Sequence, residues 1–425
     1  MIKKHFVFFL IATLILLGLL LLAGIVVIRA LPGRYAYYLP GPLQELRHDP
    51  HPDTLPTPLP HTPSPTTSTQ PTSRPTNQPT NPPTDEPTDQ PTALPTDTPT
   101  PTPTPLLVCS LSGVRHEHQG WNNCGPTTLA MALSYWGYDT TQYEVAPALK
   151  PDPEDKNVSL SEMEAYTRDL GLGAIVRAGG TLERLKALLR AGFPVIVETW
   201  YVRDARDQLG HYRLVTGYDD TTQEFLTYDS LHGPDIIVSY QEMDELWRVF
   251  NRAYLVVYET DRWDALAAVL GPDQDDAAMY ERALETARFE AVNPPSSCVA
   301  YADCNDWVTF SWFNVGTSLT SLGRHAEAAQ AYDEARRLGL HFRMLWYQFG
   351  PYESYYAVGR YDDVIALASA TLATTNNLEE SYYWRGMARW AQGDVAGAQA
   401  DFDTALHYHK DWPPAVEALE KLEEK

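Results

Sequence analysis

Gln119-Gly120-Trp121-Asn122-Asn123-Cys124-Gly125-Pro126-Thr127-Thr128 is the stretch on which the reading of this chain turns. The apolar run Thr127 to Trp136 follows with helical spacing and stops at Gly137, so Cys124 stands where loop becomes helix. Gly125 permits close approach of a partner, and Pro126 has its φ preset for a first helical turn. A helix start presents unpaired N–H groups and partial positive charge. Both favour thiolate over thiol, and thiolate is the nucleophilic form of cysteine. The Cys124 N–H would also face an oxyanion forming on an attacked carbonyl. The amide of Gln119, five residues upstream, is the candidate for a second donor.

A nucleophile needs a base, and the base needs an orienting group. His211 opens a strand-like run, Gly210-His211-Tyr212-Arg213-Leu214-Val215-Thr216-Gly217-Tyr218-Asp219, and Asp229 ends the next, Leu226-Thr227-Tyr228-Asp229-Ser230. If these pair as a hairpin around Asp219-Asp220, His211 and Asp229 fall at the same end of the sheet. The carboxylate then holds the imidazole by its second nitrogen, as in a Cys-His-Asp triad. His116, His118 and His232 also lie near the motif in sequence and read as structural.

The surrounding region, 106–260, reads as mixed α and β. Ser159-Leu160-Ser161-Glu162 has capping-box spacing for a helix ending near Gly171, and a second helix spans Thr181 to Ala191. Strand-like runs follow at Phe193 to Tyr201, Tyr212 to Tyr218, Glu224 to Tyr228, Ile236 to Tyr240 and Ala253 to Tyr258, interrupted by a helix at Gln241 to Phe250. Helices first and adjacent strands afterwards imply an α+β fold with an antiparallel sheet.

Gln119, the Asn123-Cys124-Gly125-Pro126 helix start, Gly210-His211, Val215-Thr216-Gly217-Tyr218 and Tyr228-Asp229 together resemble the C39-like branch of papain-fold cysteine peptidases. These are relatives of the bacteriocin-processing peptidases that cleave after double-glycine leaders. The resemblance implies a papain-like fold and peptide or protein substrates. It further implies Cys124 as nucleophile, His211 as general base and acid, Asp229 as orienting group and Gln119 as oxyanion donor. The transporter-linked members carry several membrane spans and a nucleotide-binding domain. Here no Gly-rich phosphate loop is present, so a role in leader export has no support. The alternative is a papain-like scaffold that binds peptide or protein without turnover.

At 425 residues the chain exceeds one ordinary core, so two or more folded units are expected. The C-terminal region, 261–425, looks almost wholly helical and repeats about Gly323, Gly359 and Gly393. Trp312, Gly316, Ala328, Tyr332 and Ala335 recur in offset as Tyr382, Gly386, Ala398, Phe402 and Ala405. The middle copy is looser, with a two-residue insertion near Trp346 and Gly350, and Ala278 to Glu290 reads as a half-repeat. This resembles the tetratricopeptide repeat, which implies paired helices crossing at small residues and a concave surface for a protein partner. A helical cap that merely packs on the preceding domain is an equal reading.

Residues 1–30 contain 23 without charge, Phe6 to Ile28, flanked by Lys3, Lys4, Arg29 and Arg34. A bilayer needs about 20 apolar residues and a cleavable signal fewer, so the run reads as an uncleaved single-pass transmembrane anchor. Residues 31–105 hold the juxtamembrane segment and a Pro/Thr tract. From Pro71 to Pro99 a proline followed by threonine recurs every fourth residue. Such a tract has nothing to bury and is expected to be an extended, disordered spacer. At about 3.1 Å per residue, Pro50 to Pro105 would reach roughly 170 Å. A Ser/Thr/Pro tract suits the cell exterior, which places the catalytic domain outside the membrane; an inverted anchor would place it in the cytoplasm. Cys298 and Cys304 enclose a short loop and are candidates for a disulfide rather than a metal site, while Cys109 reads as a small buried side chain. Lys+Arg number 32 against 55 Asp+Glu, a formal charge of −23. That excess repels phosphate backbones, so nucleic acid is not expected as a partner, and nothing calls for a cofactor.

Overall fold

A computed structural model describes residues 2–31, 43, 53–60, 106–203, 207–298 and 304–424. The run Phe6 to Ile28 lies within helix α1 (Ile2–Ala30). The side chains before Thr13 are outside the described residues, and among the described residues no helix is long and apolar enough to cross a membrane. The Pro/Thr tract from 61 to 105 is likewise outside them.

One antiparallel sheet organises the mixed region. Its strands are β1 (Val108–Ser110), β2 (Gly173–Arg177), β3 (Val195–Val202), β4 (Gln208–Asp219), β5 (Glu224–Asp229), β6 (Gly233–Ser239) and β7 (Tyr254–Tyr258). They lie in the order β2-β7-β3-β4-β5-β6, with β1 added to the far end of β4. β7 and the first three residues of β3 are continuous apolar runs because both faces of the sheet are covered there. Ile196, Leu214, Leu255 and Val257 pack with Leu129, Leu133, Val145 and Met163 from helices α2 (Cys124–Tyr135), α3 (Gln142–Leu149) and α4 (Leu160–Asp169). Val195, Val197, Val215 and Val256 pack oppositely with Leu185, Leu189, Met243 and Leu266 from α5 (Leu182–Arg190), α6 (Tyr240–Trp247) and α7 (Trp263–Leu270). The expected α+β architecture is therefore present as a sheet between two helical layers.

Three elements were not expected from sequence. β1 and β2 are short, and α3 carries Pro147 inside it. The strand holding His211 also starts earlier than its apolar run. His211 sits inside twelve-residue β4, opposite Thr199 of β3, rather than at its opening. The first residues, Gln208 and Leu209, are half-exposed and carry no alternation signal.

The C-terminal helices are α8 (Asp276–Val292), α9 (Asn305–Ser321), α10 (His325–Arg337), α11 (Gly350–Ala357), α12 (Tyr361–Thr374), α13 (Glu379–Ala391), α14 (Val395–Tyr408) and α15 (Pro413–Glu423). Gly323, Gly359 and Gly393 each have positive φ (70°, 76° and 88°) just after α9, α11 and α13, so the repeated glycine marks each helix-to-helix turn. A Cβ at Gly316 would stand 2.5 Å from the Tyr332 ring, and one at Gly386 would stand 2.7 Å from the Phe402 ring. The first and third pairs therefore cross where a glycine meets an aromatic ring. The two-residue insertion in the middle copy lies beside a short 3-10 helix, Phe342–Trp346. Cys298 and Cys304 are disulfide-bonded, with their Cα atoms 5.7 Å apart.

These helices do not form a separate body. Trp200, Leu246, Val249 and Phe250 of the mixed region share one apolar cluster with Phe310, Phe313, Tyr332 and Leu345. Arg248 is fully buried between the two regions; its Nη2 donates to Glu290 Oε2 (3.2 Å), and Asn314 Nδ2 donates to the Arg248 carbonyl (2.6 Å). The C-terminal helices and the mixed region thus belong to one compact unit.

The spacer expectation is also corrected. Residues 53–57 lie on the C-terminal helices. Leu55 N–H donates to the Leu340 carbonyl (2.8 Å), Thr54 bridges His341, and Arg336 donates to the carbonyls of Pro56 and Thr57 (2.9 and 3.0 Å). Leu55 is buried in the shared cluster.

Candidate active site

The loop Gln119 to Asn123 must hold an irregular path before α2 begins. Asn122 takes a left-handed conformation (φ 52°), and buried Gln142 supplies the missing partners. Gln142 Oε1 accepts from Gly120 N–H (2.6 Å) and Asn123 Nδ2 (3.0 Å), while Nε2 donates to the His118 carbonyl (2.7 Å). Cys124 is the first residue of α2 and is half-buried. Its thiol departs from expectation. Burial pushes it up to about 11, and the N–H groups of Tyr212 and Gly125, with Lys150, lower it by less. The helix tip does act on this sulfur, but desolvation outweighs it.

The hairpin geometry places the other two groups. Arg213 pairs with Asp229 across β4 and β5, and His211, two residues back, shares the face of Arg213. His211 Nε2 lies 2.9 Å from Asp229 Oδ1, and Arg213 Nε lies 3.0 Å from Oδ2. Leu231 N–H (2.8 Å) and His232 N–H (3.1 Å) also donate to Oδ1. Burial alone would raise the Asp229 carboxyl, yet His211 and Arg213 hold it well below the usual range, so it is ionised and only accepts. The imidazole proton therefore sits on Nε2. Burial lowers the His211 pKa against the pull of Asp229, leaving a neutral ring at neutral pH. Its Nδ1 is buried and has no hydrogen-bond partner among the described residues.

Cys124, His211 and Gln119 line one cleft of about 410 Å³. Asp229 stands behind the ring, fully buried. The Gln119 side-chain oxygen accepts from Ser230 Oγ (2.7 Å), which leaves its NH2 as the end with no part in that bond. A model of the Peptidase_C39-like family matches residues 111–255. A likeness at 18% identity and TM-score 0.30 exists to a Bacillus anthracis structure described as a C39-like peptidase, covering 36% of this chain and 98% of that one. Another, to the MamA RS-1 ArsTM double mutant, has 18% identity and TM-score 0.26 and covers 34% of this chain and 84% of that one. Scores this low carry no argument about the fold. No curated protein matches the chain.

Of the histidines read as structural, His116 fits: its Nε2 meets the Asp229 carbonyl (2.9 Å), and its ring packs edge-on against His118. His232 instead lines the cleft, 5.5 Å from the Tyr201 ring. Gln142 and Arg213 gave no sequence signal, because each acts through a partner that only folding brings near. More distant still are Arg343, Trp346 and Tyr347, which reach the cleft from the C-terminal helices. A larger cavity of about 530 Å³, beside Gly180 and Trp307, holds none of the predicted site residues.

Proposed function

We propose that the C39-like domain hydrolyses peptide bonds, with Cys124 as nucleophile, His211 as base and then acid, Asp229 as orienting group and Gln119 as oxyanion donor. One observation carries this reading. An ionised Asp229 accepts a hydrogen bond from Nε2–H, which leaves the lone pair on Nδ1 of a ring that lines the same cleft as Cys124. The thiol passes its proton to Nδ1 as sulfur attacks the carbonyl carbon, and Asp229 stabilises the imidazolium that results. The Cys124 N–H and the Gln119 amide face the oxyanion. Nδ1 then returns the proton to the leaving amine, and water attacks the thioester by the same relay. Because the resting thiol is protonated, the base acts during attack rather than before it.

The test is labelling of the full chain by a thiol-reactive peptide analogue. Cys124→Ala should lose all labelling while its melting temperature holds, and equal labelling of the variant would overturn the assignment. The high thiol pKa is the one observation favouring a binding scaffold without turnover. Binding of peptide with no cleavage product, under conditions where the analogue labels Cys124, would decide for that scaffold.

The chain is further read as held on a membrane by residues 1–30, with the folded unit outside. Support comes from the uncharged run Phe6 to Ile28 and the Ser/Thr/Pro tract. The Cys298–Cys304 disulfide adds to it, being a bond that persists in oxidising compartments. External protease should digest the folded unit on intact cells; full protection would overturn this orientation. The C-terminal helices are read as tetratricopeptide-like, on the repeated glycine turns and the glycine-to-ring crossings.

A further inference from the structure

The cleft beside Cys124 is not closed by the C39-like domain alone. Its far wall is the segment Arg343 to Tyr347, inserted where the middle helical repeat departs from the others. This wall is fixed to the sheet. Tyr347 lies against Gly210, where a Cβ would approach its ring to 3.1 Å, and its ring packs edge-on to Trp200 at 6.5 Å. Arg343 Nη1 donates to Asp207 Oδ1 (2.6 Å) and to the Gln208 carbonyl (2.8 Å), at the start of the strand that carries His211. From behind, the wall is braced by the segment preceding the Pro/Thr tract, since Thr54 bridges His341 and Phe342 N–H donates to the Asp53 carbonyl (3.4 Å).

The charges lining this cleft run against those of the whole chain. Lys156, Arg203 and Arg343 line it, and Asp207 is its one carboxylate among the described residues. The whole chain carries −23. Lys156 Nζ stands 5.1 Å over the Trp121 ring, and Arg203 is 60% exposed at the rim, 3.5 Å from Asp207. The Glu154 carboxylate accepts the Trp121 indole N–H (3.1 Å) and lines no part of the cleft. A cleft lined by two more cations than carboxylates favours a bound carboxylate. A carboxylate gains there, whereas on the rest of the surface it is repelled.

We propose that Arg343, Trp346 and Tyr347 form the specificity wall of the cleft and that Lys156 and Arg203 select peptides with an acidic side chain beside the bond presented to Cys124. The proposal rests on reading the cleft as a peptide site, but not on turnover. It is therefore tested by binding, using the full chain in neutral detergent with Cys124→Ser. The probes are short fluorescein-labelled peptides identical except for Glu, Gln or Lys flanking a central Gly-Tyr, followed by anisotropy. The Glu peptide should bind about tenfold tighter than the Gln peptide, and the Lys peptide weakest, despite the chain's overall charge. Lys156→Glu with Arg203→Glu should reverse that order. Trp346→Ala should weaken the Glu and Gln peptides alike by about tenfold, with Trp346→Phe restoring most of the loss. Tighter binding of the Lys peptide, a Glu preference that survives the double charge reversal, or unchanged affinities in Trp346→Ala would overturn the proposal. Failure of the unsubstituted chain to cleave a Glu peptide it binds would count against the peptidase reading and leave the wall standing.

Discussion

Cys124 is a nucleophile candidate at a helix tip whose thiol is nonetheless harder to ionise than a free one. The two influences act on the same atom with opposite sign, and burial is the larger. Alkylation by iodoacetamide follows the thiolate fraction, so its rate at Cys124 should rise about tenfold per pH unit from 7 to 9. A plateau below pH 7 would reveal a preformed thiolate–imidazolium pair and contradict this. Asp229 does two jobs, orienting His211 and neutralising Arg213. Asp229→Asn removes the negative charge that stabilises the imidazolium and turns one of two acceptor oxygens, both engaged by donors, into a donor, and should lower peptide turnover by about 10³–10⁴-fold. It should also lower the melting temperature, because the Arg213 guanidinium then stays buried without a counter-charge. A variant with full turnover would show that the carboxylate is not the orienting group.

Among the elements, the paired helices and the segment 53–57 are held in different ways. The helix pairs depend on absent side chains. Gly316→Ala drives a methyl into the Tyr332 ring and should cost about 1–3 kcal/mol in chemical denaturation, against little for a substitution on the outer face. Segment 53–57 depends on one apolar anchor and on backbone hydrogen bonds. Leu55→Ala removes a side chain buried in the shared core, typically worth about 2–5 kcal/mol, and here that loss falls on local docking. Limited proteolysis should then cut within residues 53–60 at least about tenfold faster while the sheet stays resistant. Equal cutting in both proteins would mean that the segment is not held by Leu55. His341 and Phe342 meet this segment on one side and lead into the cleft wall on the other, so the residues preceding the Pro/Thr tract sit one layer from the site.

At the scale of the molecule, buried carboxyls set the response to pH. Burial raises Glu198 to about 8 and raises Asp155 well above its ordinary value, the latter also through repulsion from Glu379 at the boundary with the C-terminal helices. The folded state therefore binds protons that the unfolded chain has released, and stability falls as pH climbs through these values. Burial lowers His211 and His341, which act in the opposite direction only below about pH 6.5, the ordinary histidine value. Above pH 6.5 His409, which its bond to Glu379 raises against the effect of burial, loses stabilisation in the same direction as the carboxyls, so the melting temperature should drop between pH 6.5 and 8. Glu198→Gln should flatten the decline, and a melting temperature that rises over the interval would refute the sign.

The sequence by itself determined what depends on neighbours along the chain. The helix start at Cys124, the capped helix at Ser159, the glycine turns after α9, α11 and α13, and the short Cys298–Cys304 loop all declare themselves within a few residues. The His211–Asp229 meeting was also legible, because a hairpin converts an 18-residue separation into a fixed register. Tertiary structure alone decided the rest. Thiol ionisation depends on how much water burial removes, which no local pattern encodes. Arg213 and Gln142 matter through partners on other elements, and the cleft wall comes from residues about 220 positions beyond Cys124. Composition reports that a segment rich in proline and threonine cannot build a core, not where its ends are held. Leu55, a single apolar residue among prolines and threonines, holds one end because a pocket for it exists only when the helices are packed.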